Sequence, residues 1–264
     1  MYKIIFSDID GTLLTSDQRI SVNTKKKIKE LEKKGIRFVL ASSRPEHAVF
    51  PIMRELDIKA PVISYSGALV HDADGNIIQS LEIPPQTAQE IHDFITDTYT
   101  GICCCVYSRD LWLADDKKNE WLIKEEEITG LSAVVGKIAD YPEYGGVHKV
   151  LCMGDKAVID DIAAGLGQRF PEVSICRSKD TYLEINNPAA SKANAMRFLC
   201  DFMNIPLSQT TALGDGEVDM EMIQTAGIGF VMENAPESMK NTAENIAESN
   251  DNEGVLKALI QIGL

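Results

Sequence analysis

Residues 1–14 read MYKIIFSDIDGTLL. The apolar run from Tyr2 to Phe6 predicts a short buried strand that ends in Ser7. Two carboxylates follow two positions apart, Asp8 and Asp10. Gly11 and Thr12 come next, residue types that let a backbone turn sharply and offer amide and hydroxyl donors. In a parallel α/β sheet, chemistry collects beyond the carboxyl ends of the strands, and that is where this pair falls. Like charges so close are costly unless a cation or a shared proton relieves them. A polar turn would need no more than Asp and Gly. Asp-x-Asp followed by Gly–Thr points further, to a Mg²⁺-dependent nucleophile with an acid/base partner.

Outward from this loop, strand and helix patterns alternate. Ser21 is placed to cap a helix through Lys34, with Val22, Ile28 and Leu31 as its apolar stripe and Gly35 at its end. Residues 36–41, IRFVLA, predict a second buried strand running into Ser42, Ser43 and Arg44. Pro45 suits the first turn of a following helix, which Pro51 must kink or delay. A third strand, Pro61 to Ser64, leads into Tyr65, Ser66 and Gly67, and residues 68–80 predict a hairpin about Asp74 and Gly75. This order argues a doubly wound, Rossmann-like parallel sheet of the α/β class.

Near Pro84 and Pro85 the pattern changes. A helix from Thr87 to Thr98 precedes strands at 103–107 and 110–114, then a helix around Trp121. After a looser stretch with Pro142, Gly145 and Gly146 come a strand at 148–153, a helix from Lys156 to Phe170, and strands at 173–177 and 182–186. Helices between antiparallel pairs make an α+β module. From Asn187 and Pro188 the first pattern resumes, with a helix after Ser191, strand TALGD (211–215), a helix from Val218, strand GIGFVM (227–232) and a C-terminal helix. Residues 1–82 and 188–264 therefore form a discontinuous core, and residues 83–187 an inserted α+β domain.

The 264 residues are 44% hydrophobic and 25% charged, an ordinary globular balance. A formal net charge of −14 argues against nucleic acid or an anionic membrane as partner. An anionic substrate would then need locally placed cations. No apolar run approaches the ~18 residues of a membrane span, and the N-terminus lacks the pattern of a signal peptide. Cys103, Cys104, Cys105, Cys152, Cys176 and Cys200 form no C-x-x-C pair and read as apolar packing residues. A reducing cytoplasm is the expected compartment.

FSDIDGTLL resembles the first motif of the haloacid-dehalogenase superfamily, and especially its Cof-type sugar-phosphatase branch. Ser42 in LASSRP, Lys192 in PAASKANAMRFL and the string ALGDGEVDMEMI carry the resemblance along the chain. It covers essentially the full length, including a large cap inserted at 83–187. The resemblance implies a phosphomonoesterase with Mg²⁺ as cofactor, acting on small phosphorylated metabolites such as sugar phosphates. Asp8 would be the nucleophile that becomes an aspartyl-phosphate, and Asp10 the acid/base. Ser42, with Ser43, and Lys192 would bind phosphate. Mg²⁺ would be held by Asp8, the main-chain carbonyl of Asp10, and Asp215, with Asp219 in support. Arg44, Ser66 and Gly67 are candidate substrate contacts. On local sequence alone, Ser42 reads equally as a helix cap, and Lys192 reads more readily as a solvated surface lysine.

Three positions depart from the pattern: the family usually has Gly at Ser43, Asn at Ser66 and Asn at Val218. An apolar side chain at Val218 replaces a phosphate-binding amide. Phosphomutase chemistry, or a non-catalytic sugar-phosphate sensor, is the competing reading. The cap would close over the site, with Arg109, Trp112, Trp121, Arg177 and Tyr182 as candidate contacts, each of which reads more readily as packing or surface charge. The sequence sets no oligomeric state.

Overall fold

The structure, a computed structural model, describes residues 2–264. The opening strand β1 spans Ile4–Ser7, and α1 (Val22–Lys33), β2 (Arg37–Ala41), α2 (Glu46–Leu56), β3 (Val62–Ser64), β4 (Leu69–His71) and β5 (Ile77–Ser80) follow it. Next come α3 (Pro85–Thr98), β6 (Cys103–Ser108), β7 (Leu111–Ala114), α4 (Glu120–Thr129), β8 (Val134–Val135), β9 (Lys149–Met153), α5 (Lys156–Arg169), β10 (Ser174–Lys179) and β11 (Tyr182–Asn186). The chain closes with α6 (Lys192–Phe202), β12 (Thr210–Gly214), α7 (Met220–Thr225), β13 (Ile228–Met232), α8 (Glu237–Lys240), β14 (Ile246–Ala247) and α9 (Gly254–Gln261). Two compact units result: Met1–Arg44, Val49–Gln79 and Ser191–Leu264 make one, Pro45–Ala48 and Ser80–Ala190 the other.

The first unit is α/β. Its sheet runs β14-β13-β12-β1-β2-β3-β4-β5, parallel from β14 through β3, with β4 antiparallel to β3. Successive strands are added outward from β1 in both directions, so β1 lies at the switch point where doubly wound sheets open a crevice. Alternation along each strand sorts the core into two layers. Ile5, Phe38, Leu40, Leu213 and Phe230 meet Ile28 and Leu31 of α1, Leu56 of α2 and Leu259 of α9 on one face. Ile4, Phe6, Val39, Ala212 and Val231 meet Met196 and Leu199 of α6 and Met222 of α7 on the other. Asp8 follows Phe6 by two, and its amide continues the ladder by donating to the Leu213 carbonyl at 3.0 Å. It is therefore placed on the α6 face.

Several local expectations are corrected. Ser21 does cap α1, accepting from the Thr24 amide, but Val22 is 81% exposed. The buried stripe is Thr24, Ile28 and Leu31; Val22 lies roughly 200° around the helix from Thr24. Pro51 does not delay α2, which starts at Glu46 and holds the proline in its interior, since one ring removes one backbone donor. The helix expected from Val218 starts at Met220, after a 3₁₀ turn over Glu217–Asp219. Strands β8 and β14 were not expected.

The second unit is built on a sheet of order β10-β11-β9-β6-β7-β8, antiparallel except for β7 with β8. Ile91 and Ile95 of α3 and Ile159 and Ile162 of α5 cover the face carrying Cys104, Val106, Cys152 and Leu183. Among the described residues no disulfide forms; Cys103, Cys104, Cys105, Cys152 and Cys200 are buried and Cys176 is half-buried. The Sγ atoms of Cys103 and Cys105 are 3.7 Å apart and those of Cys104 and Cys152 4.0 Å. Hydrogen bonding to neighbouring thiols, then burial, pushes Cys104 and Cys105 well above the usual thiol range, as expected of thiols used for packing. No helix among the described residues is long and apolar enough to cross a membrane.

Candidate active site

Four segments of the first unit bring the site together. Three of them follow strand ends: 8–12 after β1, 42–44 after β2 and 215–219 after β12. The fourth is the start of α6. Ser191 caps that helix by accepting from the Asn194 amide, which sets Lys192 as its first helical residue. Gly67 packs against this cap. A Cβ there would stand 2.2 Å from the Ser191 carbonyl oxygen, and its φ of +102° is one that only glycine adopts easily. The backbone contact gives Gly67 a packing reason of its own.

Lys192 is not a surface lysine: it is 2% exposed. Its Nζ donates to Asp8 Oδ1 and to Asp219 Oδ1, both at 2.6 Å. Burial alone would pull its pKa down, but Asp219 and Asp8 more than offset that and hold it above its ordinary value. Asp219 also accepts from the Gly216 amide at 3.0 Å, which ties the 3₁₀ turn back on itself.

Asp8, Asp215 and Asp219 form the acidic centre, each offering an oxygen within 4.8 Å of the others'. Against these three carboxylates stands one ammonium, leaving an excess of two negative charges. Burial raises Asp8 well above its ordinary value; Lys192 opposes this, and Asp219 and Asp215 add to it. Asp215 is pushed up to about 6, first by burial and then by Asp219, against a hydrogen bond from Thr12. Thr12 Oγ1 donates to Asp215 Oδ1 at 2.8 Å. Hard oxygen donors carrying excess negative charge, and carboxyls pushed toward neutrality by burial and by one another, fit a divalent ion such as Mg²⁺.

Asp10 stands apart from this centre. Its carboxylate is half-exposed and is gripped by Arg44, with Nε to Oδ2 at 2.7 Å and Nη2 to Oδ1 at 2.5 Å. Ser42 is 1% exposed, and its Oγ accepts from the Arg44 amide at 3.1 Å. Helix α2 begins four residues later, so Ser42 shapes the turn after β2 and is not a helix cap. Ser43 and Ser66 share a hydroxyl hydrogen bond of 2.7 Å, across two turns in which Ser66 has φ 54°. Val218 is half-buried in the 3₁₀ turn and belongs to neither apolar layer.

One contributor escapes the sequence motifs. Asn234, just past β13, donates to the Gly11 carbonyl at 2.8 Å and lies 3.4 Å from Asp215 Oδ2. Its signal is positional: a polar residue just beyond the carboxyl end of a buried strand neighbouring β12. The candidate contacts of 83–187 each have a neighbour within the second unit. Trp112 stacks on Tyr107 at 5.3 Å, the Tyr182 hydroxyl donates to Glu125 Oε2 at 2.5 Å, and Arg177 pairs with Asp160. Lys124 lies over Trp121, and the Arg109 guanidinium lies over the Tyr144 ring at 6.0 Å.

Residues 5–259 match the family described as haloacid dehalogenase-like hydrolase. A Haemophilus influenzae relative is 32% identical over 257 residues, covering 97% of this chain and 96% of its own. Bacillus subtilis 5-amino-6-(5-phospho-D-ribitylamino)uracil phosphatase YcsE is 26% identical over 263 residues, 97% of this chain and 94% of its own. A crystal structure from Thermotoga maritima superposes with a TM-score of 0.87 at 28% identity, covering 100% of this chain and 98% of that one.

Proposed function

We propose that this chain, which belongs to the haloacid dehalogenase-like hydrolases and is a phosphatase, is a Mg²⁺-dependent phosphomonoesterase of the Cof type for small phosphorylated metabolites. The observation that carries the reading is the buried Lys192 bridging Asp8 and Asp219 at 2.6 Å, with Asp215 completing three clustered carboxylates. In this reading Asp8, the Asp10 carbonyl and Asp215 hold the ion, and Asp219 supports it. When bound, the ion neutralises charge between the nucleophile and the incoming phosphoryl group.

An oxygen of Asp8 bonds to phosphorus as the ester P–O bond breaks, giving an aspartyl-phosphate on this side chain. Lys192 anchors Oδ1 of that carboxylate and so fixes the direction from which its other oxygen approaches. Asp10 gives its proton to the departing ester oxygen, then takes one from the water that attacks the acyl-phosphate, releasing phosphate and restoring Asp8. Lys192, with Ser42 and Ser43, stabilises the phosphoryl oxygens as charge builds on them. The domain 83–187 serves as a cap that excludes water and reads the leaving group. Sugar phosphates are the favoured class; a relative named for a phosphoribityl substrate supports a polyol-like leaving group. The cytoplasm is the proposed compartment, in keeping with the buried, reduced thiols.

Phosphate release from a panel of hexose, pentose and pentitol phosphates, with Mg²⁺ and with EDTA, tests this. Release should need Mg²⁺, and Ca²⁺ should replace it poorly because it tolerates more ligands and a looser geometry. Asp8→Asn should lose turnover by several orders of magnitude, since an amide forms no acyl-phosphate. Full activity in EDTA, or in Asp8→Asn, would overturn the reading.

A further inference from the structure

The acid/base candidate is held by a clamp whose partners lie far apart in sequence. Asp10 sits in the loop after β1 and Arg44 in the loop after β2, and both guanidinium contacts reach one carboxylate, 2.7 Å to Oδ2 and 2.5 Å to Oδ1. A third bond fixes the guanidinium itself: Arg44 Nη2 donates to Gln18 Oε1 at 3.0 Å. Gln18 in turn sits in the left-handed region, with φ 57°, and its amide donates to the Thr15 carbonyl at 2.8 Å. At the other end, the Arg44 amide is held by Ser42 Oγ, and its carbonyl accepts from the Tyr65 amide at 3.0 Å. Backbone and head group of Arg44 are thus both anchored, while Asp10 itself is about half-exposed.

We propose that Arg44, braced by Gln18, is a positioning residue that aims the Asp10 carboxylate at the leaving-group oxygen. A planar fork fixes both carboxylate oxygens in one plane and leaves each a lone pair for proton transfer. A mobile, half-exposed Asp would otherwise sample several rotamers, and a displacement of ~1 Å can cost about a hundredfold in rate. The inference rests on the reading of Asp10 as acid/base. It assigns Arg44 to proton transfer and not to substrate affinity.

The leaving group supplies the test. An alkyl phosphate departs as a strongly basic alkoxide unless it is protonated, whereas 4-nitrophenyl phosphate departs as a stable anion. The measured quantity is the ratio of kcat/KM for glycerol phosphate to that for 4-nitrophenyl phosphate, in wild type, Arg44→Lys and Arg44→Ala. Arg44→Lys keeps the charge but loses the fork, and the ratio should fall by about tenfold or more, through kcat and not KM. A structural or phosphate-binding role would lower both esters together, and an unchanged ratio overturns the inference. So does a fall confined to KM. If neither Arg44 variant folds, Gln18→Ala must lower the same ratio, and an unchanged ratio there overturns it equally. Failure of the wild type to cleave either ester with Mg²⁺ would instead strike the phosphomonoesterase reading.

Discussion

Asp8 and Asp10 stand two residues apart yet occupy opposite environments. Asp8 is 7% exposed and bonded to a buried ammonium, while Asp10 is half-exposed and bonded to a guanidinium. The spacing that marks the motif was legible because it sits at a strand end; the Arg44 and Asn234 contacts were not, since each joins residues distant in sequence. Val218 is the residue at which the motif departs furthest. It lies half-buried in the 3₁₀ turn, outside both apolar layers, so a polar side chain there strands nothing in a core. Val218→Asn should therefore leave Tm within about a degree or two, consistent with a change of under ~0.5 kcal/mol. If the new amide reaches a phosphoryl oxygen, kcat/KM should rise by about tenfold to a hundredfold, the worth of a bond to a charged acceptor. A clear fall in Tm with no gain in activity would show that valine is needed there for packing.

At the level of elements, the strand-to-loop junctions were readable because apolar runs of four to six residues stop at polar or glycine-rich strings. Strands β8 and β14 were unreadable for a complementary reason: at two residues each they have no period to detect. Helix α6 is positioned by contacts at its first turn as much as by its apolar stripe. Gly67 admits the Ser191 backbone, and Lys192 follows directly. Gly67→Ala should cost about 2–4 kcal/mol of stability from overpacking and a disfavoured φ together. It should also lower kcat, because the ammonium moves with the helix. Gly75→Ala makes the matched comparison, with φ +85° and open space around the new methyl. It should cost about 1 kcal/mol and leave kcat/KM unaltered. Equal losses of activity in the two variants would remove Gly67 from any role in placing α6.

For the whole molecule, a net charge of −14 is compounded by an acidic centre in which three carboxylates face one ammonium. Asp215 ordinarily titrates near 3.8 and is raised to about 6 here, so the metal-free native state binds the extra proton between those values. Stability from this group is therefore present below pH 3.8 and lost as pH rises through 6, by about 3 kcal/mol at most. The proposed Mg²⁺ would bind the ionised form and should reverse that loss. Thermal melts across pH 4–8 should show Mg²⁺ raising Tm strongly at pH 7–8 and little below pH 5. A Tm gain that is the same at every pH would separate the ion from Asp215. The buried thiols of the two units carry a different consequence. Cys103, Cys104, Cys105 and Cys152 are sealed in one unit and Cys200 in the other, while Cys176 is half-buried. A thiol reagent under native conditions can modify the buried five only during openings that expose them. Mass-resolved labelling would thus time the breathing of each unit separately, using chemistry already built into the chain, with Cys176 modified first and Cys200 keeping its own clock.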